Sequence, residues 1–232
     1  MAKQAEQPET SPPLTEHAGT HRSVWLLFFV IVVVSLAADL GLKYWAFNNV
    51  VSDFQVKVRT AEAGGPEVLV RLPDRDEEWF VAQELGLSDR PERVPGHEPI
   101  VVVPGLLNFQ LTLNTGAVFG LGQGARPVFI VVSVVAVFVI MFLLYRSPLN
   151  ARLYHIGLAL ILGGALGNLY DRVLYSAVRD MLHMLPSTGL WPWIFNVADV
   201  ALVCGVCLVL VVTWLSERKA QKSEAGQPAS VN

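Results

Sequence analysis

The chain has 232 residues, 53% of them hydrophobic and only 16% charged, against roughly 25% charged in an ordinary soluble domain. Its 17 basic and 20 acidic residues leave a net charge of -3, which excludes the basic field that gathers nucleic acid. Cys204 and Cys207, the two cysteines, share one apolar run, so a disulfide-stapled scaffold and a four-ligand Cys/His zinc site are excluded too.

A bilayer core of about 30 Å takes roughly 20 apolar residues in a helix. The polar leader 1–22 reads as a disordered tail. Residues 23–45 follow as the first expected transmembrane helix. Ser35-Leu36-Ala37-Ala38 behind the apolar run gives this segment some likeness to a cleavable signal sequence. The leader is long and poor in basic residues, however, and the apolar run resumes from Leu40 to Trp45, so a retained span is expected.

Residues 46–125 form a long loop with strand-like segments at 54–59, 68–72 and 100–103, and a helical turn or two at 76–87. In its last part Leu107, Phe109, Leu111 and Leu113 alternate with Asn108, Gln110, Thr112 and Asn114, the period of a half-buried strand. Further spans are expected at 126–145, 153–170 and 197–215, with a short loop at 171–196 and a polar tail at 216–232. The expected fold class is an all-α polytopic membrane protein, four transmembrane helices carrying a small outer β-rich cap. Arg146 and Arg152 in the tight connection between the second and third spans, and Arg218, Lys219 and Lys222 after the fourth, place both termini in the cytoplasm and the two loops outside.

An ionisable group near a span needs a reason. Asp39 lies late in the first span, Asp171 at the end of the third, and Asp199 near the start of the fourth. With alternating direction all three reach the same outer face. Carboxylates at matching depth can form a dyad, in which repulsion keeps one protonated and the pair splits an amide by general acid–base chemistry without metal or cofactor. They can equally be interfacial residues, Asp199 favouring the start of its helix and Asp171 pairing with Arg172. Spacing alone leaves both readings open.

Four motifs narrow the choice: Asp39 with Lys43, Asn114-x-Gly116-x-x-Phe119, Gly163-Gly164-x-x-Gly167-Asn168-x-x-Asp171-Arg172, and Phe195-Asn196-x-Ala198-Asp199. In these residues the chain resembles the lipoprotein signal peptidases, or signal peptidase II. The resemblance implies a four-helix aspartic endopeptidase of the bacterial cytoplasmic (inner) membrane that removes signal peptides from diacylglyceryl-modified prolipoproteins, cutting before the lipidated cysteine. It further implies Asp171 and Asp199 as the catalytic pair, no cofactor, and prolipoprotein signal peptides and membrane lipid as partners. Asp39, Lys43, Asn114, Gly116, Phe119, Gly164, Gly167, Asn168, Arg172, Asn196 and Ala198 would bind substrate or support the site, Asp39 and Lys43 near its edge. Val178-Arg179-Asp180 also resembles a family motif, which adds Asp180 to that group, although Met181 stands where an aromatic residue is usual. The stretch 53–99 is longer than the family carries between its first two motifs. Nothing in the sequence defines an oligomeric state.

Other features read more simply. Cys204 and Cys207 are expected to be helix-packing residues, His155 an interfacial one, and His183 a surface one; Trp191 and Trp193 suit the headgroup layer. A proton-coupled transporter using the same acids is the rival, but it would need acids spread through the bilayer or an internal repeat. Here the acids crowd at one face.

Overall fold

A computed structural model describes residues 17–49, 55–59, 67–71, 99–114, 116 and 126–225. Phe119 and the helical turns expected at 76–87 lie outside the described residues. Four helices, α1 (Arg22–Asn49), α2 (Arg126–Arg146), α3 (Arg152–Leu174) and α4 (Val197–Ala225), are each long and apolar enough to cross a membrane. Large apolar side chains such as Leu26, Phe29, Val132, Phe138, Phe142 and Leu210 stand exposed around them. A patch of that extent is untenable in water and ordinary against lipid. The chain is a multi-pass membrane protein.

The central helix is α3, which packs on each of the other three. The reason lies in its small residues. A side chain at Gly157 would meet Val209, one at Gly164 the carbonyl of Ala198, and one at Gly205 the carbonyl of Gly157 at 2.7 Å. Lipid gives helices no hydrophobic reason to associate, so close backbone approach supplies the contact. On α1, Val24, Phe28, Val32, Ser35, Asp39, Lys43 and Ala46 are buried at steps of three or four, one face of a helix turned inward. Its lower part joins Ile140, Leu144, Leu158 and Leu162 in an apolar core. At that same end Ala18–Thr20 forms a 3-10 turn that docks on the α2–α3 connection, Ala18 N–H donating to the carbonyl of Ser147 at 2.9 Å. Ala18–Thr20 thus have defined structure within the stretch 1–22 that was expected to be a disordered tail.

Among the described residues there are two sheets. The hairpin β1 (Gln55–Arg59) and β2 (Glu67–Arg71) stands within the long loop. The second sheet runs in the order β3 (Ile100–Val103), β4 (Leu107–Asn114), β5 (Val178–Met184) and β6 (Ile194–Phe195), all antiparallel. The first four strands match the expected segments within a residue or two. The last two occupy the segment expected to be a plain loop. Consequently the sheet joins the long loop to the segment that links α3 and α4, and the all-α label understates its part. Leu111 and Met181 seal it onto Ala46 and Phe47 at the end of α1, so a methionine serves where the motif would have an aromatic residue.

Gly164→Val should force α3 and α4 apart and lower stability by about 1–3 kcal/mol, read as a drop in thermal unfolding temperature in detergent. An unchanged temperature would contradict the close crossing.

Candidate active site

All the polar residues of the four motifs that are described gather at one end of the bundle, where α1 and α3 finish and α4 begins. The start of α4 organises them. A helix leaves its first N–H groups unpaired, and here Asn196 and Asp199 satisfy two of them reciprocally: Asp199 N–H donates to Asn196 Oδ1 at 2.9 Å, and Asn196 N–H to Asp199 Oδ2 at 3.2 Å. This is a capping box. Ala198 N–H donates to Asp39 Oδ1 at 2.8 Å, tying α4 to α1. Gly167 leaves room for that aspartate, since a Cβ there would lie 2.5 Å from Asp39 Oδ2.

The three expected acids do not share one environment. Asp171 is fully buried and held by Lys43 and Arg179. Its Oδ1 accepts from Arg179 Nε at 3.1 Å and Nη2 at 2.8 Å; its Oδ2 accepts from the Arg179 backbone N–H at 3.0 Å and lies 3.0 Å from Lys43 Nζ. About four lone-pair sites are all a carboxylate has. Asp171 is therefore saturated, with no site left for a water molecule. The Arg179 guanidinium stacks 4.3 Å from the Tyr175 ring, and this clasp closes the tight turn in which Ser176 takes a left-handed φ of 58° before β5 begins.

The acid beside Asp199 is instead Asp180, on β5. Asn196 touches both: its backbone meets Asp199, while its Nδ2 donates to Asp180 Oδ1 at 2.6 Å. Asn114 Nδ2, from the facing strand, donates to Asp180 Oδ2 at 3.1 Å. Antiparallel register puts Asn114 opposite Val178, two residues from Asp180 and so on the same face of the sheet. Asp199 Oδ1 accepts from Asn168 Nδ2 at 2.8 Å. Each oxygen of Asp199 thus keeps capacity for another donor. Burial pushes the Asp180 carboxyl up to about 8 and the charge of Asp199 adds to the effect, against the amides of Asn114 and Asn196 and the Lys43 charge. Near neutral pH Asp180 holds a proton.

The expected neighbours Asp171 and Asp199 are thus held by different partners, and Asn196 links Asp199 to Asp180. Asp171 sits at the right depth, but two cations claim it, whereas the strand β5 delivers Asp180 to Asp199. Asp39 and Lys43, expected at the edge, are at the buried centre, with Lys43 Nζ 2.7 Å from Asp39 Oδ2. Arg172 donates to the Gly116 carbonyl at 2.8 Å, and Gly116 N–H to Asn114 Oδ1 at 2.9 Å, which fixes the loop after β4. Arg126, which the motifs do not include, donates to the carbonyls of Arg172 and Val173 and so caps the end of α3. Its position at the start of α2 was the only available signal.

A groove of about 260 Å³ opens on Asp199. Asp199 and Asn114 supply its polar part, and Met184, Trp191, Trp193, Ile194, Phe195, Val200, Val203 and Cys204 its apolar walls. Trp191 and Trp193 meet edge to face at 5.4 Å. The remaining candidates stand elsewhere. Cys204 and Cys207 are exposed on α4, and the packing residue between them is Gly205. His155 is buried in the first turn of α3, with its Nε2 2.8 Å from Ser147 Oγ. His183 pairs with Gln110 across the sheet. Among the described residues no three His, Cys, Asp or Glu side chains are grouped to hold a metal ion.

Four membrane helices with two neighbouring acids, Asp180 buried and Asp199 lining an apolar groove, belong to the class of membrane aspartic proteases. The family profile of signal peptidase (SPase) II matches residues 67–215, and the chain belongs to that family. The lipoprotein signal peptidase of Desulfitobacterium hafniense is 38% identical over 146 residues, 63% of this chain and 93% of the relative. That of Listeria welshimeri is 34% identical over 148 residues, 64% and 90% of the two chains. Two solved structures, each described as a bacterial membrane enzyme obtained by the in meso method, share the fold: one has a TM-score of 0.58 at 19% identity, covering 89% of this chain and 94% of its own. The other has a TM-score of 0.54 at 21% identity, covering 81% and 92%.

Asn196→Ala should remove the cap of α4 together with a donor to Asp180, and lower stability by roughly 1–2 kcal/mol. Thermal unfolding in detergent measures this. A variant as stable as the wild type would contradict the capping role.

Proposed function

We propose that this chain removes signal peptides from diacylglyceryl-modified prolipoproteins, cutting before the lipidated cysteine, and that Asp180 and Asp199 carry the reaction. The observation that supports this choice of acids is the contrast between Asp171, whose oxygens are fully occupied by Arg179 and Lys43, and Asp180, bridged to Asp199 by Asn196 beside the groove. Ionised Asp199 takes a proton from water as the water attacks the scissile carbonyl, and protonated Asp180 gives its proton to the carbonyl oxygen. The tetrahedral intermediate then collapses. The C–N bond breaks as Asp199 returns its proton to the leaving amine, and Asp180 recovers its own from the collapsing hydroxyl.

The remaining residues support this chemistry. Asn114, Asn168 and Asn196 orient the pair, Arg172 and Gly116 shape the loop over it, and Asp39 and Asp171 anchor α4 and β5 at fixed positions. The apolar groove suits the lipid-bearing, apolar part of a precursor. Arg146 and Arg152 at the opposite end of the bundle, with Arg218, Lys219 and Lys222 beyond α4, favour a cytoplasmic location for that end and for both termini. The acids would then face the outer side of the inner membrane. Membership of a peptidase family leaves the transporter reading without support.

Because one proton is shared, the cleavage rate of a short diacylated peptide should be bell-shaped in pH. It should fall on the alkaline side near 8, where Asp180 loses its proton, and on the acid side, where Asp199 gains one. Asp199→Asn should abolish turnover, and chelators should leave it unchanged. A rate still rising above pH 9, or an active Asp199→Asn variant, would contradict the mechanism.

A further inference from the structure

We propose that Lys43 is a positioning residue for the acid pair, acting through Asn168: it fixes which end of the Asn168 amide faces Asp199. The proposal rests on the peptidase reading above. An asparagine amide has an accepting oxygen and a donating nitrogen in nearly the same shape, so its orientation is set by its neighbours. Asn168 Oδ1 accepts from Lys43 Nζ at 3.2 Å and from Asn196 Nδ2 at 3.1 Å. Its Nδ2 is thereby committed to Asp199 Oδ1 at 2.8 Å. Turning the amide over would set N–H groups against an ammonium and a second amide, and an oxygen against a carboxylate.

Lys43 is unusually well placed to enforce this. It is fully buried, and its three protons meet three acceptors on two helices: Asp39 Oδ2 at 2.7 Å, Asp171 Oδ2 at 3.0 Å and Asn168 Oδ1. The two carboxylates hold the ammonium still. Asp39 in turn accepts from Ala198 N–H, so the cation is fixed relative to the same helix turn that bears Asp199. Charge compensation alone would need only Asp39 and Asp171. The third contact reaches the acid pair, and it does so through a single amide. A cation held near two acids also favours their ionised forms, so Lys43 tunes the pair as well as aligning it.

The test uses the full-length protein in detergent with a short diacylated peptide, in a preparation whose wild type cleaves and whose Asp199→Asn variant does not. Failure of that control would count against the peptidase reading itself, not against Lys43. Lys43→Met should lower kcat roughly 10–100-fold with KM nearly unchanged, and should move both limbs of the pH–rate profile to higher pH. Since that variant leaves two buried carboxylates short of a partner, Asp39→Asn with Lys43→Met provides the second arm: it restores charge balance and keeps the acceptor for Ala198 N–H. The double variant should fold with near wild-type thermal stability and retain both the kcat deficit and the displaced limbs. If the folded double variant recovers wild-type kcat and limbs, Lys43 is merely structural and the proposal fails. It fails equally if the double variant does not fold, because Lys43 would then be a requirement of the fold itself.

Discussion

Charges withdrawn from water must compensate one another, and at one end of this bundle seven ionisable side chains do so together. Asp39, Asp171, Asp180 and Asp199 oppose Lys43, Arg172 and Arg179. Four carboxylates against three cations leave one negative charge in excess, and a single proton removes it. That proton resides on Asp180, which like Asp199 is held by amides and not by a cation. Desolvating an ion costs several kcal/mol, and stripping one partner from a buried pair costs about 3–5 kcal/mol. The network therefore holds α1, α3, β5 and α4 in one relative position. The placement of Asp180 beside Asp199 is a consequence of this compensation.

The division of labour among the acids follows from the same constraint. Asp39 and Asp171 are spent on cations and backbone N–H groups, and they locate the start of α4 and the start of β5. Asp180 and Asp199 are held by amides of Asn114, Asn168 and Asn196, which orient a carboxyl group without fixing its charge. A neutral donor leaves the proton free to move. A guanidinium does not.

Much of this was legible in the sequence. The four spans, the strands near 100–103 and 107–114, and the gathering of motifs at one end follow from apolar run length, alternation and the direction of successive helices. The proposed choice of acids did not follow. Asp171 lies in the longest motif and at the expected depth, but the sequence cannot show that Arg179, eight residues on, folds back through a left-handed turn at Ser176 to occupy it. The strand β5 was hidden because Val178 to Met184 is buried near its start on both faces and lacks the alternation that marks a half-buried strand. Asp180 was visible only as part of a motif. Lys43 looked peripheral because the buried stripe of α1 emerges only once α3 lies against it.

The account stands on Asp180, rather than Asp171, being the partner of Asp199. Single-turnover cleavage of a short diacylated peptide by Asp180→Asn and Asp171→Asn, each paired with its thermal unfolding temperature, separates the two most directly. Asp180→Asn should stay folded and lose cleavage by at least about a thousandfold, whereas Asp171→Asn should unfold at lower temperature yet still cleave while folded. Near-normal cleavage by a folded Asp180→Asn protein, with none from a folded Asp171→Asn protein, would contradict it.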